Sequence, residues 1–284
     1  MAPIGRTLSI APASCDASAA SGGQRDASLL SIAPNGPATT FAFQVADDVG
    51  AGLAAAAQIY LPRIAALDSQ RLGIRQVPDK LMVVMQRFDG SWMGETNVGG
   101  VIDDEQRVSI ASIGIRLNTA QVQTPDELQL TFGHEYVHAM HDSLGLVRLP
   151  PDIREGLGYW VDYSNIYYPL TGGPIDAWQR QVVGSWDLIR DLALTGRTAR
   201  TGRLITDPGR LQLGALTTGY IESRVGLHRW LEILVTADVL RVDRNALVAR
   251  DAGASWPELQ AAVQTMLARP DGGLAAFTAM ARSH

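Results

Sequence analysis

The sequence predicts an α+β fold, with a small mixed β-sheet and helices in the N-terminal half and mostly helices in the C-terminal half. Three observations lead to this prediction. Short apolar strand patterns bounded by turn residues occur before residue 116. A helix with clear start and stop signals follows, and beyond residue 163 the apolar spacing is helical. The helical segments predicted there are 175–195, 214–237, 244–252, 255–268 and 271–282.

Composition and these patterns divide the chain of 284 residues into three parts. Residues 1–38 are rich in Ala, Ser, Gly and Pro, which is typical of a tail or linker without a core of its own. Residues 39–145 are predicted to form an α/β subdomain that ends with the marked helix. Residues 146–284 are predicted to form a helical subdomain.

The elements of the N-terminal half follow one another closely. A first strand pattern precedes a helical pattern that has carboxylates at its start as capping groups. A buried-strand pattern, a glycine-containing turn and two more strand patterns complete the small sheet. In order, these segments are residues 39–45, 47–67, 81–85, 89–94, 99–102 and 108–115.

The next helix carries the most informative residues of the chain. Thr124-Pro125-Asp126-Glu127 is a helix start, with a capping threonine, a first-turn proline and a glutamate three residues after the cap. Gly145 is a stop signal. Between them lies His134-Glu135-Tyr136-Val137-His138, an HExxH sequence. Histidines four residues apart share one helix face, with Cβ atoms about 5–6 Å apart, so both imidazoles can bind one zinc ion.

Glu135 lies between these histidines and is predicted to take a proton from a water at the metal's open position. The alternative is a helix whose histidines are merely polar surface or satisfied core groups. Three of the five histidines in the chain, His134, His138 and His141, share one stripe, which favours the metal site. His141 lies one helical turn beyond His138, too far along the helix to join the same set of metal ligands easily. We interpret it as an exposed residue near the helix C-terminus, with a proton donor as the alternative.

A catalytic zinc usually takes three protein ligands and a water, so one more ligand is needed. Pro150-Pro151 opens a second helix, and Glu155 lies in its first turns. Gly156 and Gly158 each cost about 1 kcal/mol in a helix, which is tolerable if another backbone approaches closely, as it would if this helix packs across the first one near the metal. The alternative for Glu155 is a solvated carboxylate at a helix N-terminus. We predict Glu155 as the third ligand of one zinc ion per chain.

The HExxH sequence, followed 16 residues later by Glu155-Gly156-Leu157 and aromatic residues, resembles the gluzincin metallopeptidases. It is most similar to the peptidase MA-like families, whose second helix reads E-G-[LF]-[AG]. The resemblance is specific over residues 124–163. It implies a thermolysin-like architecture, zinc ligands at His134, His138 and Glu155, and Glu135 as general base.

One position departs from the pattern of thermolysin-like gluzincins. They carry an aspartate four residues after the ligand glutamate, where it orients a zinc-bound histidine, and this chain has Tyr159 there. Asp162, two turns from Glu155 on the same face, is the expected replacement, because zinc-bound histidines nearly always have such a partner.

A hydrogen-bond donor to the developing negative charge on the substrate carbonyl oxygen can be worth about 10²–10³ in rate. Residues 214–231 resemble a later helix of the MA-like families, and this resemblance points to Tyr220. The alternative is an ordinary half-buried tyrosine on an amphipathic helix. Gluzincins also pair the substrate backbone with the edge strand of the sheet. Residues 98–102 or 108–115 are expected to form that strand. Further donor candidates are Arg224, His228, Tyr167 and Tyr168.

We therefore predict a zinc-dependent peptidase, a hydrolase whose partner is a peptide or protein substrate. Two alternatives stay open: a catalytically silent zinc-bearing binding or scaffold protein, and a zinc hydrolase acting on a non-peptide carbonyl. An intact Glu135 argues against a scaffold, because a purely structural site needs no base and normally closes its fourth position.

Composition excludes several other classes. The net charge of −5 and the absence of a basic cluster make nucleic acid an unexpected partner. No apolar run approaches the roughly 18 residues of a transmembrane segment. The single cysteine, Cys15, provides neither an internal disulfide nor a cysteine-based zinc site. The low-complexity start resembles a spacer behind a removed leader, so we expect an exported or lipid-anchored bacterial protein, with a cytoplasmic location as the alternative.

Overall fold

The computed structural model describes residues 38–102, 108–168, 173–196, 199–201 and 204–283. Within them the fold is α+β, with a four-stranded mixed sheet near the N-terminus and helices dominating beyond residue 124. The predicted fold class is confirmed at this level. Almost all of the predicted tail, residues 1–37, lies outside the described residues.

The bounds of the elements follow the chain. The strands are β1 (Thr40–Val45), β2 (Lys80–Gln86), β3 (Gly94–Ile102), β4 (Val108–Asn118), β5 (Ile166–Tyr167), β6 (Ile175–Asp176), β7 (Ala199–Thr201) and β8 (Leu204–Thr206). The α-helices are α1 (Ala51–Leu72), α2 (Pro125–Ser143), α3 (Pro151–Ser164), α4 (Trp186–Thr195), α5 (Pro208–Val225), α6 (Leu227–Leu240), α7 (Arg244–Ala252), α8 (Trp256–Leu267) and α9 (Leu274–Ala281).

The main sheet has the strand order β1-β2-β4-β3, in which β1, β2 and β4 are parallel and β3 is antiparallel to β4. Leu81, Val83 and Met85 alternate along β2 and are buried, as expected for a strand with one face on the core. β3 is an edge strand, so residues 98–102 do lie at an edge. Within β4, residues 114–118 pair with β2, whereas residues 108–113 pair with β3 alone and so also leave one side unpaired among the described strands.

Helix α2 lies at the centre of the fold, against α1, α3 and the strands β3 and β4. Its predicted capping box is present: the Glu127 amide donates to the Thr124 hydroxyl at 3.2 Å, and the Glu127 carboxylate accepts from the Thr124 amide at 3.0 Å. The apolar residues Leu128, Phe132 and Val137 are fully buried. A capped helix that is packed on several sides is a rigid support for the side chains it carries.

Helix α3 crosses α2 on one side and packs closely on α5 on the other. A Cβ built on Gly156 would lie 2.5 Å from the carbonyl carbon of Gly214, and one built on Gly214 would lie 2.0 Å from the Asp152 carbonyl oxygen. Only glycines allow the two backbones to approach this closely. The predicted close backbone approach at Gly156 is therefore confirmed, although α5 and not α2 is its partner.

The C-terminal half is less uniformly helical than predicted. The two short antiparallel pairs β5–β6 and β7–β8 interrupt it, and residues 178–185 form a π-helical turn followed by a 3-10 turn. The segment predicted as one helix at 214–237 belongs to two helices, because the chain turns at Gly226 with φ of 82°. Among the described residues, none of the helices is long and apolar enough to cross a membrane.

Candidate metal centre

The three predicted metal ligands lie together where α3 crosses α2. Nε2 of His134 and Nε2 of His138 are 3.0 Å apart, and each lies 3.3 Å from the same Glu155 oxygen, Oε2. His138 is buried, while His134 and Glu155 are partly exposed. The three side chains form a group that could hold a metal ion, shielded by the protein on one side and accessible on another.

Gly158 is the residue that lets these three groups meet. A Cβ built on it would lie 3.0 Å from Cε1 of His134 and 3.3 Å from Cε1 of His138. Because glycine has no Cβ, α3 can rest directly on the two imidazoles, and this brings Glu155 within reach of both. The predicted helix crossing at the candidate site is thus present, with Gly158 at the point of contact.

The charges in this group favour a bound cation. Burial alone would raise the pKa of Glu155, but its hydrogen bonds with His134 and His138 lower that pKa below its usual range. Burial would lower the pKa of His134, yet the hydrogen bond with Glu155 and the charge of Glu135 raise it overall. The carboxylate therefore stays ionised, and positive charge near His134 is stabilised.

Glu135 is held in place by the edge strand β3. The Thr96 hydroxyl lies 2.8 Å from Oε2 of Glu135 and 2.8 Å from its main-chain oxygen. A Cβ on Gly94 would lie only 2.9 Å from Cγ of Glu135, so the strand passes directly over this side chain. Glu135 is buried, and its charge acts on His134. It is therefore a fixed second carboxylate beside the candidate ligands.

Asp162 is buried close to the candidate ligands but makes its hydrogen bonds elsewhere. Its oxygens accept from the Tyr167 hydroxyl at 2.9 Å and from Nε2 of Gln181 at 2.8 Å. Burial raises its pKa to about 6, and its charge raises the pKa of His134. Nδ1 of His134 and Nδ1 of His138 are buried without a hydrogen-bond partner among the described residues. The orienting role of Asp162 stays a prediction.

Behind Asp162 lies a layer of buried polar side chains that sequence reasoning did not identify. Asn165 donates to Asp68 at 2.6 Å and contacts the Tyr167 hydroxyl at 3.5 Å. Burial, and next the charge of Asp162, raise the pKa of Asp68 well above its usual range. A signal for Asp68 was present, since it lies four residues after Ile64 on the apolar stripe of α1, where a charged residue needs a partner.

Tyr220, the predicted hydrogen-bond donor, is engaged on α5. Nη1 of Arg224 donates to the Tyr220 hydroxyl at 3.0 Å, and the Arg224 guanidinium lies 5.4 Å from the centre of the Tyr220 ring. Among the other candidates, Tyr167 is bound to Asp162 and Tyr168 is largely exposed. His228 packs on Gly73 at the end of α1 and lies near Glu232. Within the described structure, none of them shows a hydrogen bond to the three candidate ligands.

The tyrosine that does contact the candidate ligands is Tyr159. Its ring centre lies 4.5 Å from that of His134, with 51° between the ring planes. Burial, followed by the charges of Glu155 and Glu135, raises the pKa of Tyr159 to about 12. Sequence reasoning noted this residue only as a departure from the gluzincin pattern. The signal that could have identified it is its spacing, one helical turn after Glu155.

His141 is not the exposed residue that the sequence suggested. It is completely buried, its ring centre is 5.9 Å from that of His138, and neither ring nitrogen has a partner among the described residues. Burial lowers its pKa well below the usual range, so its ring is neutral. The expectation was wrong because α3 covers the end of α2, where Arg154 pairs with Asp142 at 2.5 Å.

Comparison of the chain with protein-family models, with curated proteins and with solved structures finds no match. Two imidazole nitrogens and one carboxylate oxygen converge on a single point, and a second, fixed carboxylate lies beside them at the edge of a sheet.

Proposed function

We propose that the protein is a zinc-dependent peptidase in which His134, His138 and Glu155 hold the zinc ion and Glu135 is the general base. The spacing of the three ligand atoms carries this proposal. Tetrahedral ligands at about 2.0–2.1 Å from zinc lie about 3.3–3.4 Å from one another. The separations here are 3.0, 3.3 and 3.3 Å.

The composition of the ligand set supports catalysis over a structural role. Catalytic zinc commonly has three protein ligands and an open fourth position, whereas structural zinc has four protein ligands. No fourth histidine, cysteine or carboxylate joins the group within the described part of the chain. A zinc ion held there would polarise a peptide carbonyl and lower the pKa of water to about 7.

Glu135 moves the proton in the proposed reaction. Its carboxylate accepts a proton from the water that attacks the peptide carbonyl carbon and then passes it to the leaving amine nitrogen. Thr96 binds Oε2 and keeps the carboxylate in one orientation, so we assign the proton transfer to Oε1. A fixed base needs no reorganisation at the moment of reaction, which lowers the barrier.

The substrate is proposed to bind as an extended chain along β3. Among the described strands, β3 has no partner on its second side, and its first residues, Gly94 and Thr96, touch Glu135. Main-chain hydrogen bonds to an edge strand recognise an extended peptide with little dependence on its side chains. The order of elements, a small sheet, an HExxH helix and a helix with a ligand glutamate, supports our proposal of a thermolysin-like, gluzincin architecture.

The test compares two glutamates of α2. Glu135→Gln is nearly isosteric but cannot accept a proton, so it should keep close to one zinc per chain and lose about 10²–10⁴-fold in peptide cleavage. Glu127→Gln is the matched control, because glutamine also completes a capping box. Cleavage is measured by mass spectrometry of a diverse peptide library.

Two results would contradict the proposal. Zinc-loaded Glu135→Gln protein that cleaves peptides as fast as wild type would exclude Glu135 as the base. Wild-type protein that binds zinc but cleaves no peptide would favour the scaffold, or a hydrolase for another carbonyl. A panel of activated esters separates these two, since only the hydrolase would turn them over.

A further inference from the structure

We propose that Tyr159, and not Tyr220, donates the hydrogen bond that stabilises the developing negative charge on the substrate's carbonyl oxygen. The proposal rests on the proposed peptidase function and adds a catalytic residue to the same site. Three observations support it: the position of the Tyr159 ring, the absence of a hydrogen bond to its hydroxyl among the described residues, and the hydrogen bonds that the neighbouring tyrosines already make.

The position of Tyr159 is fixed by α3. It follows the ligand Glu155 by one helical turn and therefore shares its face, which is turned toward α2. The ring packs against the imidazole of His134 with 4.5 Å between ring centres. Since Nε2 of His134 is itself one of the three converging atoms, the phenol ring lies beside the ligand group.

The hydroxyl of Tyr159 is free to bind a substrate. It has no hydrogen bond to any described residue, and the side chain is partly exposed. The hydroxyls of the neighbouring tyrosines are engaged: Tyr163 with Gln212, Tyr167 with Asp162, and Tyr220 with Arg224. A tyrosine hydroxyl that has no partner among the described residues and lies beside the ligands is suited to a group that arrives with the substrate.

A tyrosine hydroxyl keeps its proton at neutral pH and can therefore act as a hydrogen-bond donor. A donor that is already in place when the carbonyl oxygen becomes negative stabilises the transition state more than the ground state.

The experiment compares three tyrosine-to-phenylalanine variants in the zinc-loaded, full-length protein, using a peptide identified in the library digest. Tyr159→Phe should lower kcat about 10²–10³-fold, the usual loss for one such donor. KM and zinc affinity in chelator competition should stay within about threefold. Tyr220→Phe and Tyr163→Phe are the matched controls and should retain kcat within about threefold.

A second measurement does not depend on turnover. A phosphinic analogue of the cleaved peptide carries a tetrahedral, negatively charged centre in place of the scissile carbonyl. Tyr159→Phe should weaken its binding by about the same factor as it lowers kcat/KM, because the lost hydrogen bond is made only to that centre. Binding of the intact peptide to Glu135→Gln protein should be unaffected when Tyr159→Phe is added.

Several results would overturn the proposal. A Tyr159→Phe variant with wild-type kcat and unchanged phosphinate affinity refutes it. A variant that loses zinc in step with activity assigns Tyr159 to positioning His134 instead, and a large loss in Tyr220→Phe restores Tyr220 as the donor. Wild-type protein that binds zinc and cleaves no peptide refutes the proposed function, and this inference with it. An active wild type with an equally active Tyr159→Phe variant refutes the inference alone.

Discussion

The two faces of helix α3 differ in how many of their polar groups form hydrogen bonds within the protein. The face toward α2 carries Glu155 and Tyr159, which are partly exposed, and it touches two histidines whose Nδ1 atoms lack partners among the described residues. The face toward α5 carries Trp160 and Asp152, which are buried and hydrogen-bonded. One helix thus separates groups left available for chemistry from groups that hold the fold together.

On the α5 face, the buried polar groups of α3 form hydrogen bonds across the helix contact. Nε1 of Trp160 donates to Glu222 at 2.7 Å, and Arg71 forms an ion pair with the same carboxylate. The Trp160 ring lies against Gly219, where a Cβ would come within 2.5 Å of it. Asp152 accepts hydrogen bonds from three side chains, so its buried charge is compensated. These donors are Arg210, Trp256 and Gln260, at 2.9, 3.0 and 3.3 Å.

The largest effect is expected from removing a ligand on the α2 face. His138→Ala leaves one imidazole and one carboxylate, so zinc affinity should fall by on the order of 10³-fold or more while the helical circular dichroism is retained. His228→Ala is a control at a partly exposed histidine of α6. Metal content after dialysis and chelator competition measure the change, and a His138→Ala protein that keeps zinc as tightly as wild type would show that the assignment of the site is wrong.

On the α5 face, Gly156→Ala should lower the stability of the protein without changing its zinc binding. The new methyl would meet the Gly214 backbone at 2.5 Å, and backbone cannot move aside cheaply. Overpacking of about 1–3 kcal/mol should outweigh the gain of about 1 kcal/mol in helix propensity. Urea denaturation should show a lower midpoint, with zinc stoichiometry unchanged in the folded protein. A midpoint equal to or above that of wild type would mean that α3 and α5 are not this close.

Gly158→Ala, two residues away, should have the opposite pattern. The three atoms nearest to the new methyl are ring atoms of His134 and His138 at 3.0–3.3 Å, and these side chains can shift by a few tenths of an ångström. Zinc affinity should therefore drop about 10–100-fold, comparable to changes that misorient zinc ligands. The stability of the metal-free protein should be unchanged or raised by up to about 1 kcal/mol. Equal behaviour of the two alanine variants in both assays would remove the distinction between the faces.

The smallest expected effect is the pH dependence of zinc affinity at the α2 face. Zinc binds neutral imidazole, and Glu155 and Glu135 raise the pKa of His134 above its ordinary value of 6.5. As the pH is lowered, zinc affinity should therefore begin to fall already at a pH above 6.5, and it should decline by up to about tenfold per pH unit for each competing proton. Asp162→Asn removes a charge that helps to raise this pKa, so its decline should begin at lower pH. Affinity that stays constant from about pH 8 to 5 would contradict competition by His134.

Local signals in the sequence predicted the parts of the site that local structure determines. The capping box at Thr124 fixes where α2 begins, and the four-residue spacing of His134 and His138 fixes their common face. Glu155 was predicted because two histidines leave a zinc ion one ligand short. Each of these inferences needs only helix geometry and coordination chemistry, and the three predicted ligands do come together.

What the sequence did not predict depends on contacts between distant segments. The hydrogen bond from Asn165 to Asp68 joins residues 97 positions apart, and no local pattern encodes it. Whether residues 108–115 lie inside or at the edge of the sheet depends on which strands pair with them. His141 is completely buried on a helix that packs against α1 and α3, and the spacing of histidines along α2 contains no information about those contacts.

The hydrogen bond between Asp152 and Trp256 has a consequence for the order in which the three candidate ligands come together. His134 and His138 are set in place as soon as α2 forms, but Glu155 depends on α3, whose first turn is anchored by Trp256 through Asp152 at a separation of 104 residues. During synthesis on a ribosome, that tryptophan emerges well after both histidines. We therefore expect nascent chains ending before α8 to capture zinc weakly, and the metal to be acquired only once the C-terminal helices have emerged and docked.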